Sequence, residues 1–353
     1  MTTTFLRCAL ILAALAGSAA LAQPAAHVRV LATGGTISGA GSANSNDYRA
    51  GVLTGDDLVK TVPGADTVAT ISTEQVANIA SGNMNEAIWR KLLASVEAGL
   101  ADPGVTGIVI THGTDTLEET AFLLDLLLPA GKPIVMVGSM RPSSAVSADG
   151  PQNLLDAMKV AVSPEAVGRG VLVVMNDTIF EPRSVTKVDV RRVEAFAAPS
   201  RGPVGDVVQV TPRFYAPASA RGAAFTLGAA KLPRVAIVHA YAGITGDDVL
   251  NAAKDAAGVV IAGVGAGGVP SAAREALRTL AARGIPVVRT PRQGHGDIWR
   301  SDSAPGSDND GSATTIAGRE LTPAKARILL MLALQQPRST AELQALFDRF
   351  GTR

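Results

Sequence analysis

The hydrophobic positions of this chain fall into two rhythms. Short runs that are apolar throughout and rich in β-branched residues recur at 28–31, 107–110, 133–137, 170–175, 234–238, 258–261 and 286–289. Runs that do not alternate with polar residues fit strands buried on both faces. Between them lie segments with apolar residues at helical spacing. These are 85–98 with Ile88, Leu92 and Val96, 116–128 with Leu117, Leu124 and Leu128, and 153–162 with Leu154, Met158 and Val162. Strand–helix alternation predicts βαβ units and an α/β fold on a mostly parallel, doubly wound sheet. The rhythm breaks over 210–231, which carries Pro212, Pro217, Gly222 and Gly228. That break predicts a larger N-terminal α/β domain over 23–212, a linker over 213–231 and a smaller C-terminal α/β domain over 232–353. Residues 301–312, rich in Ser, Asp and Asn, read as a polar loop.

The start of the chain has a different pattern. Arg7 precedes an apolar run over 8–16, and Ala20-Leu21-Ala22 follows as an A-x-A of small residues. One basic residue, a short apolar stretch and that ending predict a secretory signal peptide over 1–22, cleaved after Ala22. The run is too short to span a membrane, and Gly17, Ser18 and Gln23-Pro24 argue against a buried N-terminal helix. The expected location is the periplasm. The single cysteine, Cys8, leaves with the signal. The mature chain is then expected to have no disulfide, no thiolate nucleophile and no Cys-based metal site. Later stretches of spanning length are all interrupted by a charge or a Gly/Pro break, so no membrane contact is expected after cleavage.

Charge and composition narrow the function. Lys plus Arg number 32 against 31 Asp plus Glu, so no global field steers the protein to nucleic acid or an acidic membrane. Aromatic residues are 4%, too few for base-stacking platforms.

Two loops carry candidate chemistry. The first strand ends in Thr33-Gly34-Gly35-Thr36. In open α/β sheets, ligands bind beyond the carboxyl ends of strands. Gly34 and Gly35 let the backbone turn sharply there, and Thr36 presents a hydroxyl. No lysine follows at the phosphate-loop position. The second loop is Thr111-His112-Gly113-Thr114-Asp115-Thr116, between a strand and a helix. Free N–H groups and the helix dipole favour negative charge there, and the tetrahedral intermediate of amide cleavage carries such charge on oxygen. Each loop also has a plainer explanation. The first could be a glycine turn with incidental threonine caps. The second could be a capping box made by Asp115 with Glu118, or Thr116 with Glu119. A threonine hydroxyl is a poor nucleophile without help. Candidate bases are Lys187 and Tyr48. Only neutral lysine accepts a proton, and a neighbouring carboxylate favours the charged form.

At these residues the chain resembles the bacterial L-asparaginases. Leu31 to Ile37 and Thr111 to Ala121 match the two signature segments of that family. The likeness continues through Lys132 to Pro142, Ser147 to Pro151, Gly170 to Asp177, and Leu321-Thr322-Pro323 to Lys325-Ala326-Arg327. With the signal peptide it is similar to the exported type II branch and to the glutaminase-asparaginases. The resemblance implies hydrolysis of the side-chain amide of L-asparagine to L-aspartate and ammonia through an acyl-enzyme. It implies Thr36 as nucleophile, with Tyr48 beside it on a mobile lid. It implies Thr114, Asp115 and Lys187 as a second polar triad, Asp115 also binding the substrate α-amino group. Ser81 would hold the α-carboxylate. Gly113 and Ser139 would line the substrate, Ser139 through its backbone. No metal or organic cofactor is implied. The implied assembly is a homotetramer, each site completed by a neighbour's C-terminal domain.

Three departures bear on affinity. Gly82 stands where the family usually has Gln or Glu, and Ala266 where it usually has an Asn supplied by the partner subunit. The family glutamate that pairs with the lid tyrosine has no match within 301–312. Weaker substrate binding than the family norm is the expectation. L-glutamine is an alternative substrate. Two readings from other classes are weaker. Gly263-Val264-Gly265-Ala266-Gly267-Gly268 fits a dinucleotide fingerprint, but the next strand ends in Arg289-Thr290-Pro291, without the expected acid. A periplasmic amino-acid-binding protein would also pair two α/β domains behind a signal peptide; release of ammonia separates the two.

Overall fold

A computed structural model describes residues 26–41, 48–209, 211–218, 223–300 and 315–352. The predicted signal segment at 1–22 and the polar loop at 301–312 lie outside the described residues. Sixteen strands are described. The first twelve are β1 (His27–Gly34), β2 (Ala40–Gly41), β3 (Tyr48–Arg49), β4 (Thr70–Ile79), β5 (Gly107–Thr111), β6 (Ile134–Val137), β7 (Val171–Met175), β8 (Thr178–Phe180), β9 (Thr186–Lys187), β10 (Phe196–Ala197), β11 (Gly205–Val208) and β12 (Thr211–Phe214). The last four are β13 (Val235–His239), β14 (Gly258–Gly263), β15 (Val287–Pro291) and β16 (Ile316–Ala317).

Eight strands form the large sheet in the order β12-β11-β8-β7-β6-β5-β1-β4. The run from β4 to β7 is parallel, and β8, β11 and β12 join by antiparallel pairing. Side chains alternate between two packed faces. Val28, Val30, Val109, Val135, Val137, Leu172 and Val174 pack on helix Gly150–Val162, through Leu154, Ala157 and Met158. Ile108, Ile110, Ile134, Met136 and Val173 pack on the opposite side, with helices Glu86–Ala101 and Leu117–Leu127. This is the doubly wound arrangement that uniformly apolar strands require. Each fully buried side chain of this kind contributes roughly 1.5–3 kcal/mol, enough to offset about 1–2 kcal/mol of backbone ordering.

The second sheet, β13-β14-β15-β16, is parallel throughout. One face packs on helices Gly246–Ala252 and Ser271–Ala282. The other packs on helix Pro323–Ala333, which also rests against Leu117–Leu127. One core cluster therefore runs from Ile110 in the large sheet to Val260 and Val288 in the small one.

Two sequence expectations change. Residues 213 and 214, assigned to the linker, belong to β12, which pairs with β11 at the edge of the large sheet. Pro212 misleads because proline is tolerated on an edge strand. β4, absent from the sequence reading, is a ten-residue strand at the opposite edge. Its half-exposed, polar composition hides it.

The strand order positions the site. Counting only the parallel run, β4 lies on one side of β1, and β5, β6 and β7 lie on the other. The order in which strands are added reverses between β1 and β5, which makes their boundary the topological switch point where open sheets bind ligands. The loops after β1 and β5 both open there.

Candidate active site

Three strand ends converge at the switch point. Backbone pairing of β1 with β5 ends at Ala32 opposite Thr111. Thr33 extends it by donating its hydroxyl to the Thr111 carbonyl at 2.8 Å. Gly34 and Gly35 then turn the chain with φ of 100° and 85°. Gly35 N–H donates to the Ile79 carbonyl at the end of β4, 2.8 Å away. A Cβ on Gly35 would stand 2.4 Å from Gly113 Cα, and one on Gly113 would stand 2.7 Å from Ser81 Oγ. Glycine is required where the two loops press together.

Thr36 opens a single 3-10 turn, Thr36–Ser38, and is half-buried. The chain returns through β3, which pairs with β2 and lays the Tyr48 ring against Gly39. Tyr48 Oη lies 2.8 Å from Thr36 Oγ1, in hydrogen-bonding contact. Val52 and Leu53 N–H both donate to the Ser38 carbonyl, tying the returning strand to the same turn.

The second polar group forms around Lys187. Its Nζ donates to Thr114 Oγ1 at 3.0 Å and to Asp115 Oδ1 at 2.6 Å. Thr114 is buried, the Lys187 side chain is 16% exposed and the Asp115 side chain 72%. The pair thus runs from the interior outward, and the carboxylate keeps an open side. Backbone N–H of Lys187 donates to Glu118 Oε2 at 3.0 Å. His112 lies fully buried behind the loop, its Nδ1 2.8 Å from the Gly113 carbonyl. Burial pushes its imidazole down to about 4, so it is neutral near pH 7.

The capping box that is the plainer alternative for this loop does not form at helix Leu117–Leu127. Thr116 is the N-cap residue but makes no side-chain cap bond. Its hydroxyl donates to the Ser81 carbonyl at 2.8 Å, and Asp115 and Glu118 are both turned to Lys187. Residues that would serve the helix end are committed instead to the loop junction.

Ser139 closes the far wall. It is fully buried, and its hydroxyl donates to the Arg141 carbonyl at 2.8 Å. Asp149 accepts from Met140 N–H and Arg141 N–H, both at 2.9 Å, and holds that loop in place. A Cβ on the preceding residue, Gly138, would meet Thr114 Cγ2 at 3.0 Å, so the Ser139 loop abuts the second threonine. Thr36, Tyr48, Ser81, Gly113, Thr114, Asp115, Ser139 and Lys187 are therefore connected through direct contacts of their loops. Asp149 and the Glu118 contact to Lys187 were not singled out from sequence, because capping and surface roles explain such acids equally well.

Comparison with known proteins decides the family. Residues 27–220 match the model described as asparaginase, N-terminal, and 234–347 match the glutaminase/asparaginase C-terminal domain. The chain belongs to the asparaginase family. Among its relatives, an L-asparaginase 2 of Escherichia coli is 39% identical over 94% of this chain and 95% of that protein. A glutaminase-asparaginase of Pseudomonas fluorescens is 41% identical over 91% of this chain and 90% of that one. A solved structure, a probable cytoplasmic L-asparaginase from Campylobacter jejuni, superposes with a TM-score of 0.84 at 37% identity. It covers 91% of this chain and 99% of its own.

The glycine-rich segment that mimics a dinucleotide fingerprint in this asparaginase-family chain folds onto itself. Val264 and Gly268 exchange both backbone hydrogen bonds, at 2.9 and 2.8 Å, and a Cβ on Gly263 would strike Gly267 at 2.3 Å. Its glycines serve a tight turn.

Proposed function

We propose that this chain hydrolyses the side-chain amide of L-asparagine to L-aspartate and ammonia, with Thr36 as nucleophile. Family membership and the named asparaginase relatives support the reaction. The contact of Thr36 Oγ1 with Tyr48 Oη at 2.8 Å carries the assignment of the nucleophile. Threonine needs a partner that takes its proton. Thr36 Oγ1 attacks the amide carbon as its proton passes to Tyr48 Oη, and the Tyr48 proton goes to the leaving nitrogen. The carbon–nitrogen bond breaks, ammonia departs, and an ester to Thr36 remains. Water attacks that ester by the reverse relay and releases the carboxylic acid. This relay is general acid–base catalysis by one positioned hydroxyl.

The second group takes complementary work. Thr114 accepts from Lys187, so its own hydroxyl hydrogen is free to point at the substrate. Donors fixed where charge develops on oxygen favour the transition state. The open side of Asp115 suits the α-ammonium group of the substrate. Ser81, buried against Gly113, suits the α-carboxylate. Ser139 spends its hydroxyl on Arg141, which leaves its backbone for the substrate amide. The reading calls for no metal or organic cofactor. Export to the periplasm and assembly as a homotetramer complete the proposal. A relative from Haemophilus influenzae described as a probable periplasmic L-asparaginase is in keeping with export.

Peptide mapping of enzyme acid-quenched during turnover of asparagine tests the nucleophile. An aspartyl ester is expected on the peptide containing Thr36. An adduct on the Thr114 peptide would reverse the two roles.

A further inference from the structure

Lys325 is a fully buried lysine in the first turn of helix Pro323–Ala333, in the C-terminal part of the chain. Its ammonium reaches across and donates to two main-chain carbonyls, Arg183 O at 3.1 Å and Val185 O. Those carbonyls belong to a turn in which Ser184 and Val185 N–H both donate back to Glu181 O, at 3.2 and 3.0 Å. The next residues are Thr186 and Lys187. Val185 is itself fully buried, so the chain enters Lys187 from a fixed point. Glu118 then holds the Lys187 N–H from the other side, at 3.0 Å. A buried ammonium is costly unless hydrogen bonds replace its lost water. This one holds the backbone two residues ahead of the amine that contacts Thr114 and Asp115.

We propose that Lys325 is a positioning residue. Its buried ammonium clamps the Arg183 and Val185 carbonyls and thereby sets the reach of Lys187 toward Thr114 and Asp115. The proposal rests on the reading above that Lys187 works in the active site. It makes a helix of the C-terminal part a component of the site built by the N-terminal part. Arg327, on the same helix, lies 3.9 Å from Glu119 of helix Leu117–Leu127 and ties the C-terminal part to the helix that follows the Thr114 loop.

Charge state gives the role a signature. Burial pushes the Lys325 ammonium down to about 8, with Glu118 favouring the charged form and Arg183 opposing it. Protonated lysine donates to both carbonyls with full charge assistance, and neutral lysine holds them less firmly.

The test compares wild type with Lys325→Met for ammonia release from L-asparagine between pH 6 and 10, alongside melting temperature. At pH 6–7 kcat is expected to fall roughly ten- to hundredfold, as when a charged hydrogen bond that orients a reacting group is lost. KM is expected to stay within about threefold. The ratio of wild-type to variant kcat is expected to shrink as pH rises through about 8. A kcat ratio near one at all pH values, or a loss independent of pH that follows the melting temperature, overturns the proposal. Lys325→Gln, which keeps a neutral donor, replaces the methionine variant if that one does not fold, with the same pH dependence required. A wild type that releases no ammonia, or a Lys187→Met variant with full activity, would instead defeat the underlying reading of Lys187.

Discussion

Gly35 and Gly113 pack backbone against backbone, so closely that a Cβ on the first would stand 2.4 Å from Cα of the second. Their contact sets the separation of the Thr36 loop and the Thr114 loop. Gly35→Ala must push the loops apart and also hold φ near 85°, which disfavours any L side chain. Backbone strain of this kind costs on the order of 1–3 kcal/mol, and displacement of a nucleophile by about 1 Å costs about a hundredfold in rate. Gly35→Ala is expected to fold with a lowered melting temperature and to lose at least about a hundredfold in kcat. Near-normal kcat would mean that the loop junction does not set the catalytic geometry.

Tyr48→Phe isolates the proton relay. The ring still covers Gly39, but the hydroxyl 2.8 Å from Thr36 is gone. General acid–base help is worth roughly a hundred- to ten-thousandfold. The loss is expected mainly in kcat, with KM changed only a few-fold. A variant that raises KM and keeps kcat would make Tyr48 a substrate cover.

Gly82 leaves open space next to Ser81, the residue proposed to hold the substrate α-carboxylate. It sits exposed in the 3-10 turn Ser81–Asn83, and a Cβ there would meet nothing within 4 Å. The resemblance puts Gln or Glu at this position. A restored hydrogen bond to a charged group is worth roughly 1.5–3 kcal/mol, about ten- to a hundredfold. Gly82→Gln is expected to lower KM for asparagine by up to that factor, with little change in kcat. An unchanged or raised KM in a steady-state titration would show that the open space is not part of the substrate pocket.

Much of this was legible in the sequence, and the illegible parts share a cause. The seven apolar runs all became strands, because they are too short for helices and their β-branched residues suit a sheet buried on both faces. β4 escaped because an edge strand needs only half an apolar face, and it carries Thr70, Ser72, Glu74 and Gln75. That omission also concealed how Ser81 meets Gly113, since β4 ends just before Ser81. Thr36, Tyr48 and the Thr114 group were legible through the motifs around them. Glu118 and Lys325 were not, because their work is done on main-chain atoms brought together only by the fold. In the sequence Glu118 is one of two candidate capping-box acids, and Lys325 is one residue of a segment that carries the resemblance.

A buried carboxylate gives a stability test away from the site. Asp156 is almost fully buried. It accepts from Gln152 Nε2 at 2.9 and 3.0 Å and lies 3.6 Å from Lys159 Nζ. Burial pushes its carboxyl up from 3.8 to about 6, with Asp177 adding to the rise. The folded state therefore holds the Asp156 proton more tightly than the unfolded chain. Its contribution to stability is complete below pH 3.8 and is lost as pH rises through about 6. Relative to wild type, Asp156→Asn is expected to gain on the order of a few degrees in melting temperature on going from pH 4 to pH 8. A deficit that grows toward pH 8 would show that Lys159 needs the charged carboxylate more than burial opposes it.

The measurement that bears most directly on the function is ammonia release from L-asparagine and L-glutamine by wild type and Thr36→Ala, at equal concentrations of folded protein. Wild type is expected to release ammonia from asparagine, and Thr36→Ala to fall by at least about a thousandfold, the scale seen when a nucleophile is removed. Full activity in Thr36→Ala, or no ammonia from either amide with the wild type, would contradict the assignment.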